Sequence, residues 1–353
     1  MSTLHTTVTV ADSIDEVDTA QWEQVAVADT APVHYTPAYL RAYQTSPLSP
    51  FLAARYLTVA EAGRTLAVLP CYLQKQGDPY GFLGAVGIED ADGPALLGHN
   101  WYCYDTRVPV RATGPTQRAR VLGAVLDGLR ELAAADGAST AGLVSVPEGD
   151  PVLDVARDRG WRVAPIVTRF QLPLHTATGD PFDSYDSYFA TLGARTRRTI
   201  RQYLRRAADA GVTTAVEAPR PGFLRTVGDL TRRTAAKYDS AGMYPESAFT
   251  DFVMALGDNA RVVRVDRGGQ TLAAAVVLLD EERLHMWAGG TSHATLDGFS
   301  PNYLLWATEI RTAIEWRKRW VEGGRSNEPM KTRHGMKPLR LYACVAPSGA
   351  VLS

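Results

Sequence analysis

The residues that most narrowly limit the chemistry of this chain are arginines. Arg195, Arg197, Arg198, Arg201, Arg205 and Arg206 fall within twelve residues, and no acidic side chain occurs between Asp186 and Asp209. Guanidinium forks suit bidentate contact with phosphate. On a helical wheel Thr196, Ile200, Tyr203, Leu204 and Ala207 make a buried stripe, and the arginines take the rest of the circumference. Like charges crowded on one helix repel, a cost that phosphate groups sitting opposite would offset. Arg195, Arg197, Arg198, Arg201 and Arg205 are therefore the candidate phosphate-binding residues. The competing reading is a solvated arginine face, neutralised in part by acidic residues elsewhere in the chain.

A second basic stretch runs Arg325-Ser-Asn-Glu-Pro-Met-Lys-Thr-Arg-His-Gly335. In an extended segment Lys331 and Arg333 would share a side and could hold a carboxylate or phosphate, or meet an oxyanion. The third feature is the small-residue run Ala288 to Ser292, read as a loop, followed by Ser300-Pro301-Asn302-Tyr303 opening a helix. A helix start after such a loop suits an anion, although Ser then Pro is also an ordinary cap. His293, directly after that run, is the better acid–base candidate among scattered histidines, and Asn302 and Tyr303 are candidates to orient an acceptor. His285 alternates within a strand and reads as packed. The aromatic run Trp101-Tyr-Cys-Tyr-Asp105 offers Tyr104 and Asp105 as acceptor-binding candidates, or is an ordinary packed loop. No Gly-x-Ser-x-Gly, His-x-Glu or Walker pattern is present, and no metal constellation.

The elements that must position these residues follow from periodicity. Thr6–Val10 alternates as a strand, and a helix covers Pro37–Gln44. Phe51–Val59 and Thr65–Gln74 form a hairpin with Gly63 in its turn. Residues 114–136 are an amphipathic helix closed by Gly137, followed by a strand, a helix and a strand up to residue 172. A linker rich in Thr, Gly, Pro and Asp spans 174–184. Beyond it the same order returns: a helix over 194–210, a strand at 212–217, and helices near 221–240 and 246–256. A three-strand meander to Trp287, a helix near 301–318 and a strand at 339–346 complete the chain. Two α/β domains in tandem are expected, 1–175 and 185–353, each a mixed central sheet flanked by helices.

Composition agrees with a globular chain: 353 residues, 45% hydrophobic and 21% charged. The net charge of −1 hides a division. Residues 1–180 hold 13 basic against 20 acidic residues, net −7, and residues 181–353 hold 24 against 18, net +6. An anionic partner is expected at the second half. Three scattered cysteines, no secretory leader pattern and no long apolar run point to the cytoplasm and away from a membrane.

The stretch Leu192-Gly-Ala-Arg-Thr-Arg-Arg-Thr-Ile-Arg, ending in Ala-Gly-Val212, resembles the arginine-rich helix that opens the second domain of Fem-like and BioF2-like transferases. Glu328-Pro-Met-Lys-Thr-Arg-His-Gly resembles their Tyr-Lys-x-Arg-Phe-Gly signature, with Lys331, Arg333 and Gly335 in register and Met330 and His334 in place of the aromatics. The likeness covers about residues 185–346, and the first half only in layout. It implies tandem GNAT-like domains and acyl transfer to an amine. Fem-like members take the acyl group from aminoacyl-tRNA, and relatives in antibiotic pathways load an amino acid onto a small amine. The long coiled arm of classical Fem ligases is not visible, which favours a small-molecule or peptide acceptor over a polymeric one. The expected activity is thus amide formation from aminoacyl-tRNA, with no cofactor. The alternatives are an acyl-CoA or acyl-carrier-protein N-acyltransferase and a non-catalytic binding module. The basic residue followed by Gly-x-Gly or Gly-x-Ala that CoA-dependent relatives use for pyrophosphate is absent.

Overall fold

The computed structural model describes residues 6–75, 78, 81–88, 93–292 and 298–348. In chain order the elements are β1 (Thr6–Ala11), α1 (Thr19–Ala28), α2 (Pro37–Thr45), β2 (Ala53–Glu61), β3 (Arg64–Gln74), β4 (Ala95–Gly98), α3 (Pro115–Ala135), β5 (Thr140–Pro147), α4 (Pro151–Asp158) and β6 (Arg162–Pro173). They continue with α5 (Tyr185–Ala190), α6 (Ala194–Asp209), β7 (Thr213–Glu217), α7 (Pro221–Ala235), α8 (Glu246–Ala255), β8 (Ala260–Arg267), β9 (Gln270–Leu279) and β10 (Arg283–Thr291). Last come α9 (Pro301–Glu315), β11 (Trp320–Glu322), α10 (Glu328–Arg333) and β12 (Lys337–Pro347). No helix among the described residues is long and apolar enough to cross a membrane. All three cysteines are buried free thiols.

The chain forms two compact units, residues 1–168 with 339–353, and residues 169–338. In the first, β1, β2, β3 and β4 pair antiparallel in order, β4 pairs parallel with β5, and β5 pairs antiparallel with β12. Helix α3 buries Val121, Val125 and Leu129 against this sheet, the stripe its sequence spacing predicts. In the second unit β7, β8, β9 and β10 are antiparallel, β10 pairs parallel with β11, and β11 pairs antiparallel with β6. Here α9 supplies the core, with Leu304, Trp306, Ile310 and Ala313 among the buried side chains.

Four features differ from the sequence reading. The expected linker at 174–184 is a hydrogen-bonded turn in which Thr176 donates to Asp180 O and Phe182 to Leu174 O. The division between units falls instead within β6, and residues 339–353, expected to end the second domain, lie in the first unit because β12 pairs with β5. The run Ala288–Thr291 is strand and not loop. Its residues are small because neighbours crowd the backbone: a Cβ on Gly290 would lie 2.2 Å from Leu230 O on α7, and one on Gly289 would lie 2.7 Å from Ala275 Cβ. The segment at 328–333 is helical and not extended.

Candidate functional site

In the second unit β10 and β11 separate. They pair only over Arg283–His285 with Trp320–Glu322. The paired end is pinned by buried polar groups: Arg169 is ion-paired to Glu322, and Gln171 Nε2 donates to Glu322 Oε1 at 2.6 Å. Beyond it the register of β10 slips between Met286 and Ala288, leaving Trp287 as a bulge stacked on Phe249 at 5.8 Å. Ser292 N donates to Leu272 O on β9. By the alternation of an antiparallel ladder, the amides and carbonyls of Gly289 and Thr291 then face the edge that β11 has left. That edge is a row of preoriented backbone dipoles with no strand partner among the described residues, an arrangement suited to a carbonyl or oxyanion.

Helix α10 supplies titratable groups to the same unit. Asn327 precedes it with φ 62°, and Gly335 follows it with φ 78°. Consecutive residues on a helix lie 100° apart, so Met330, Lys331 and His334 turn inward while Thr332 and Arg333 turn to solvent. The expected pairing of Lys331 with Arg333 on one side therefore fails, because the segment is a helix. Lys331 is 3% exposed, and its Nζ lies 5.2 Å from the Phe170 ring centroid. Burial, with the charge of Arg325 adding to it, pushes its ammonium down to about 7. His334 is held neutral by burial, and its Nδ1 donates to Met330 O at 2.8 Å. Tyr188 on α5 donates to His334 O at 2.9 Å and so ties down the end of α10.

The first turn of α9 meets α10. Asn302 Nδ2 contacts Met330 Sδ at 3.3 Å, Tyr303 lies 5.4 Å from the His334 ring, and Trp306 lies 5.0 Å from it. Tyr203 of α6 packs edge-on against Tyr303 at 4.9 Å. The structure thus sets Asn302 and Tyr303 against α10, the helix that carries Lys331, and adds His334, Tyr188 and Tyr203, which sequence reasoning did not assign. His293 lies outside the described residues.

Along α6 the arginines divide. Arg197 turns back onto the carbonyls of Ala190 and Leu192, a structural task. Arg201 lies 5.1 Å over Phe189, and Arg206 donates to Gly298 O at 2.7 Å. Arg195, Arg198, Arg201 and Arg205 are exposed, and none has a carboxylate partner among the described residues. Ile200 and Ala207 are buried, with Tyr203 and Leu204 half-buried beside them, as the wheel predicts.

In the first unit β4 also leaves β5, after Gly98. There the chain itself occupies the gap: Thr106 N donates to Ser145 O, Val68 N to Pro109 O, and Arg111 N to Leu66 O. Asp105 is 2% exposed and held by Arg107 at 2.8 Å, and Tyr104 is half-buried. This corrects the expectation that Asp105 faces an acceptor, because its carboxylate is consumed inside the first unit.

One buried acid has no counterpart in the sequence reading. Glu309 of α9 is 1% exposed, its Oε2 meets no hydrogen-bond partner among the described residues, and burial pushes its carboxyl up to about 8. At helical spacing it follows Asn302 and Trp306 along α9.

Residues 194–332 match the family described as acetyltransferase (GNAT) domain. No curated protein sequence matches the chain. Among solved structures the chain is similar to FemX, with 12% identity over 93% of this chain and 96% of that one and a TM-score of 0.67. It is also similar to the C-terminal domain of a putative lysylphosphatidylglycerol synthetase from Agrobacterium fabrum, with 13% identity over 97% and 100% of the two chains and a TM-score of 0.59. A tandem GNAT protein from the clavulanic acid biosynthesis pathway matches with 16% identity over 98% and 100% and a TM-score of 0.54. Such identities establish fold. Residues 194–332 thus carry the GNAT domain match, and the chain as a whole has the fold of a tandem GNAT protein. FemX shares that fold.

Proposed function

We propose that the protein forms an amide between an amino acid carried on tRNA and the amine of a small-molecule or peptide acceptor. The observation that carries this reading is α6, whose exposed arginines lack carboxylate partners among the described residues while its Tyr203 touches the Tyr303–His334 cluster. A polyanionic donor and a reacting centre would then meet along one helix. Arg195, Arg198, Arg201 and Arg205 contact phosphates of the donor, and Arg333, facing solvent, joins them rather than the reacting centre. Only the five-residue β7 separates α6 from the turn into α7, so no helical arm intervenes there to reach a polymer, and a small acceptor is preferred.

In the reaction the acceptor nitrogen attacks the ester carbonyl, which accepts hydrogen bonds from the free edge of β10. The nitrogen loses a proton as the amide forms, and the ribose hydroxyl leaves with one. Lys331, with its ammonium near 7, is matched to taking the first and giving the second. Asn302 and Tyr303 orient the acceptor, and positioning supplies much of the acceleration. His293 remains a candidate for the same relay on sequence grounds.

The test is to incubate the protein with labelled aminoacyl-tRNA pools and candidate amines, and to weigh the product. Transfer that ribonuclease abolishes is expected. Joint replacement of Arg198, Arg201 and Arg205 by Ala should weaken tRNA binding and lower the slope of log affinity against log salt by about two to three. Activity that survives ribonuclease and requires an acyl thioester would replace the tRNA donor with an acyl-CoA or carrier-protein donor. Unchanged binding and slope would remove the arginines from the donor site.

A further inference from the structure

We infer that Tyr203, backed by Tyr303, offers a stacking seat for the terminal base of the donor's single-stranded 3′ end. This deepens the tRNA reading and rests on it. Both tyrosines are half-buried where α6 and α9 meet, with ring centroids 4.9 Å apart at 63°. Tyr303 is backed by His334 at 5.4 Å, whereas Tyr203 has no second ring contact among the described residues. Tyr203 packs in part on the core to which Ile200 belongs, and the part of its ring that stays exposed is surface a nucleobase can use.

The charge around it fits the same ligand. Arg206 follows Tyr203 by three residues, on the adjoining helical face, and its Nη1 is spent on Gly298 O. Its remaining donors make no hydrogen bond among the described residues. Arg195, Arg198 and Arg205 continue away along the exposed face of α6. Aromatic rings interleaved with a basic track are how proteins hold unpaired strands: cations follow the backbone, and each stacked base adds affinity without demanding a sequence. Base pairs inside the acceptor stem are covered on both faces by their neighbours, so the seat takes the unpaired end. From Tyr303 the cluster continues through His334 to α10, which carries Lys331. A terminal base seated there would bring its own aminoacylated ribose toward the reacting groups.

The probes are an RNA minihelix carrying a four-nucleotide single-stranded 3′ extension and the same minihelix made blunt. The parent protein should bind the extended RNA about tenfold more tightly, the effect expected of a stacked base. Tyr203→Leu keeps the apolar contact with α9 and should remove that preference, while binding to the blunt RNA and its salt dependence persist. Tyr203→Trp should restore the preference. A preference that survives Tyr203→Leu, or equal binding of both RNAs by the parent, would overturn the seat while leaving the arginine contacts standing. Failure to bind either RNA would overturn the donor reading itself. Loss of CoA binding in Tyr203→Leu, with RNA binding unchanged, would assign the seat to the adenine of a different donor and also overturn the proposal.

Discussion

Replacing Glu309 with Gln should make the protein more stable, by an amount that grows with pH. A free glutamate ionises near 4.5, but burial without a partner for Oε2 holds Glu309 protonated to about 8. Between those values the unfolded chain has released its proton and the folded chain has not. The folded state therefore binds more protons, and stability falls as pH rises across the interval. Each pH unit there costs about 1.4 kcal/mol, so the parent has lost roughly 3 kcal/mol by pH 7 and on the order of 5 by pH 8 and above. Gln has the shape of the protonated acid and also buries a donor, so Glu309→Gln starts near parity at pH 5 and does not share the decline. Urea titrations of parent and variant at pH 5.5, 7 and 8.5 measure the difference, and taking it at each pH cancels other titrating groups, Lys331 included. The difference should widen by about 2 kcal/mol from pH 5.5 to 7 and again by 1–2 above that. A difference independent of pH, or a parent more stable than the variant at pH 8.5, would refute the assignment of a buried, unpartnered carboxyl.

Two further outcomes follow from the second unit. Lys331→Met should fold and should lower amide formation by about a hundredfold or more, the usual contribution of a general acid–base group. In the parent, the rate should bend near pH 7, where Lys331 changes charge, and this bend should be absent from the residual activity of the variant. Gly290→Ala should destabilise by about 3 kcal/mol, because its Cβ would overlap Leu230 O at 2.2 Å and both are backbone-fixed. A melting temperature within a degree of the parent would contradict that packing.

Much of the fold was legible because long elements bury one face. The α3 stripe, the α6 wheel and the β2–β3 hairpin are each visible in the spacing of apolar residues. Short elements are not: β11 has three residues and β4 has four, too few for any period to register. Gly289 and Gly290 read as loop because crowding by α7 and β9, unlike hydrophobic alternation, leaves no mark except smallness. At the site, Lys331 was identified by residue type, but its separation from Arg333 depended on six residues coiling between Asn327 and Gly335. Asp105 misled because a carboxylate in an aromatic loop looks available until Arg107 is seen to hold it. Glu309 was missed because an acid in a helix is expected on the outside, and only the fold shows that α9 is covered on nearly every side.

The pairing of β12 with β5 has a consequence for the birth of the chain. Residues 339–353 belong to the first unit although the whole of the second separates them from it in sequence. A ribosome delivering this protein from its N-terminus releases β5 with one edge unpaired, and that edge stays open while the entire second unit is made. Nascent chains thus carry an exposed strand edge until β12 is made, a period when sheets are prone to pair with the wrong neighbour. Strand β12 acts as a closing stitch, and the first unit is the later of the two to finish folding.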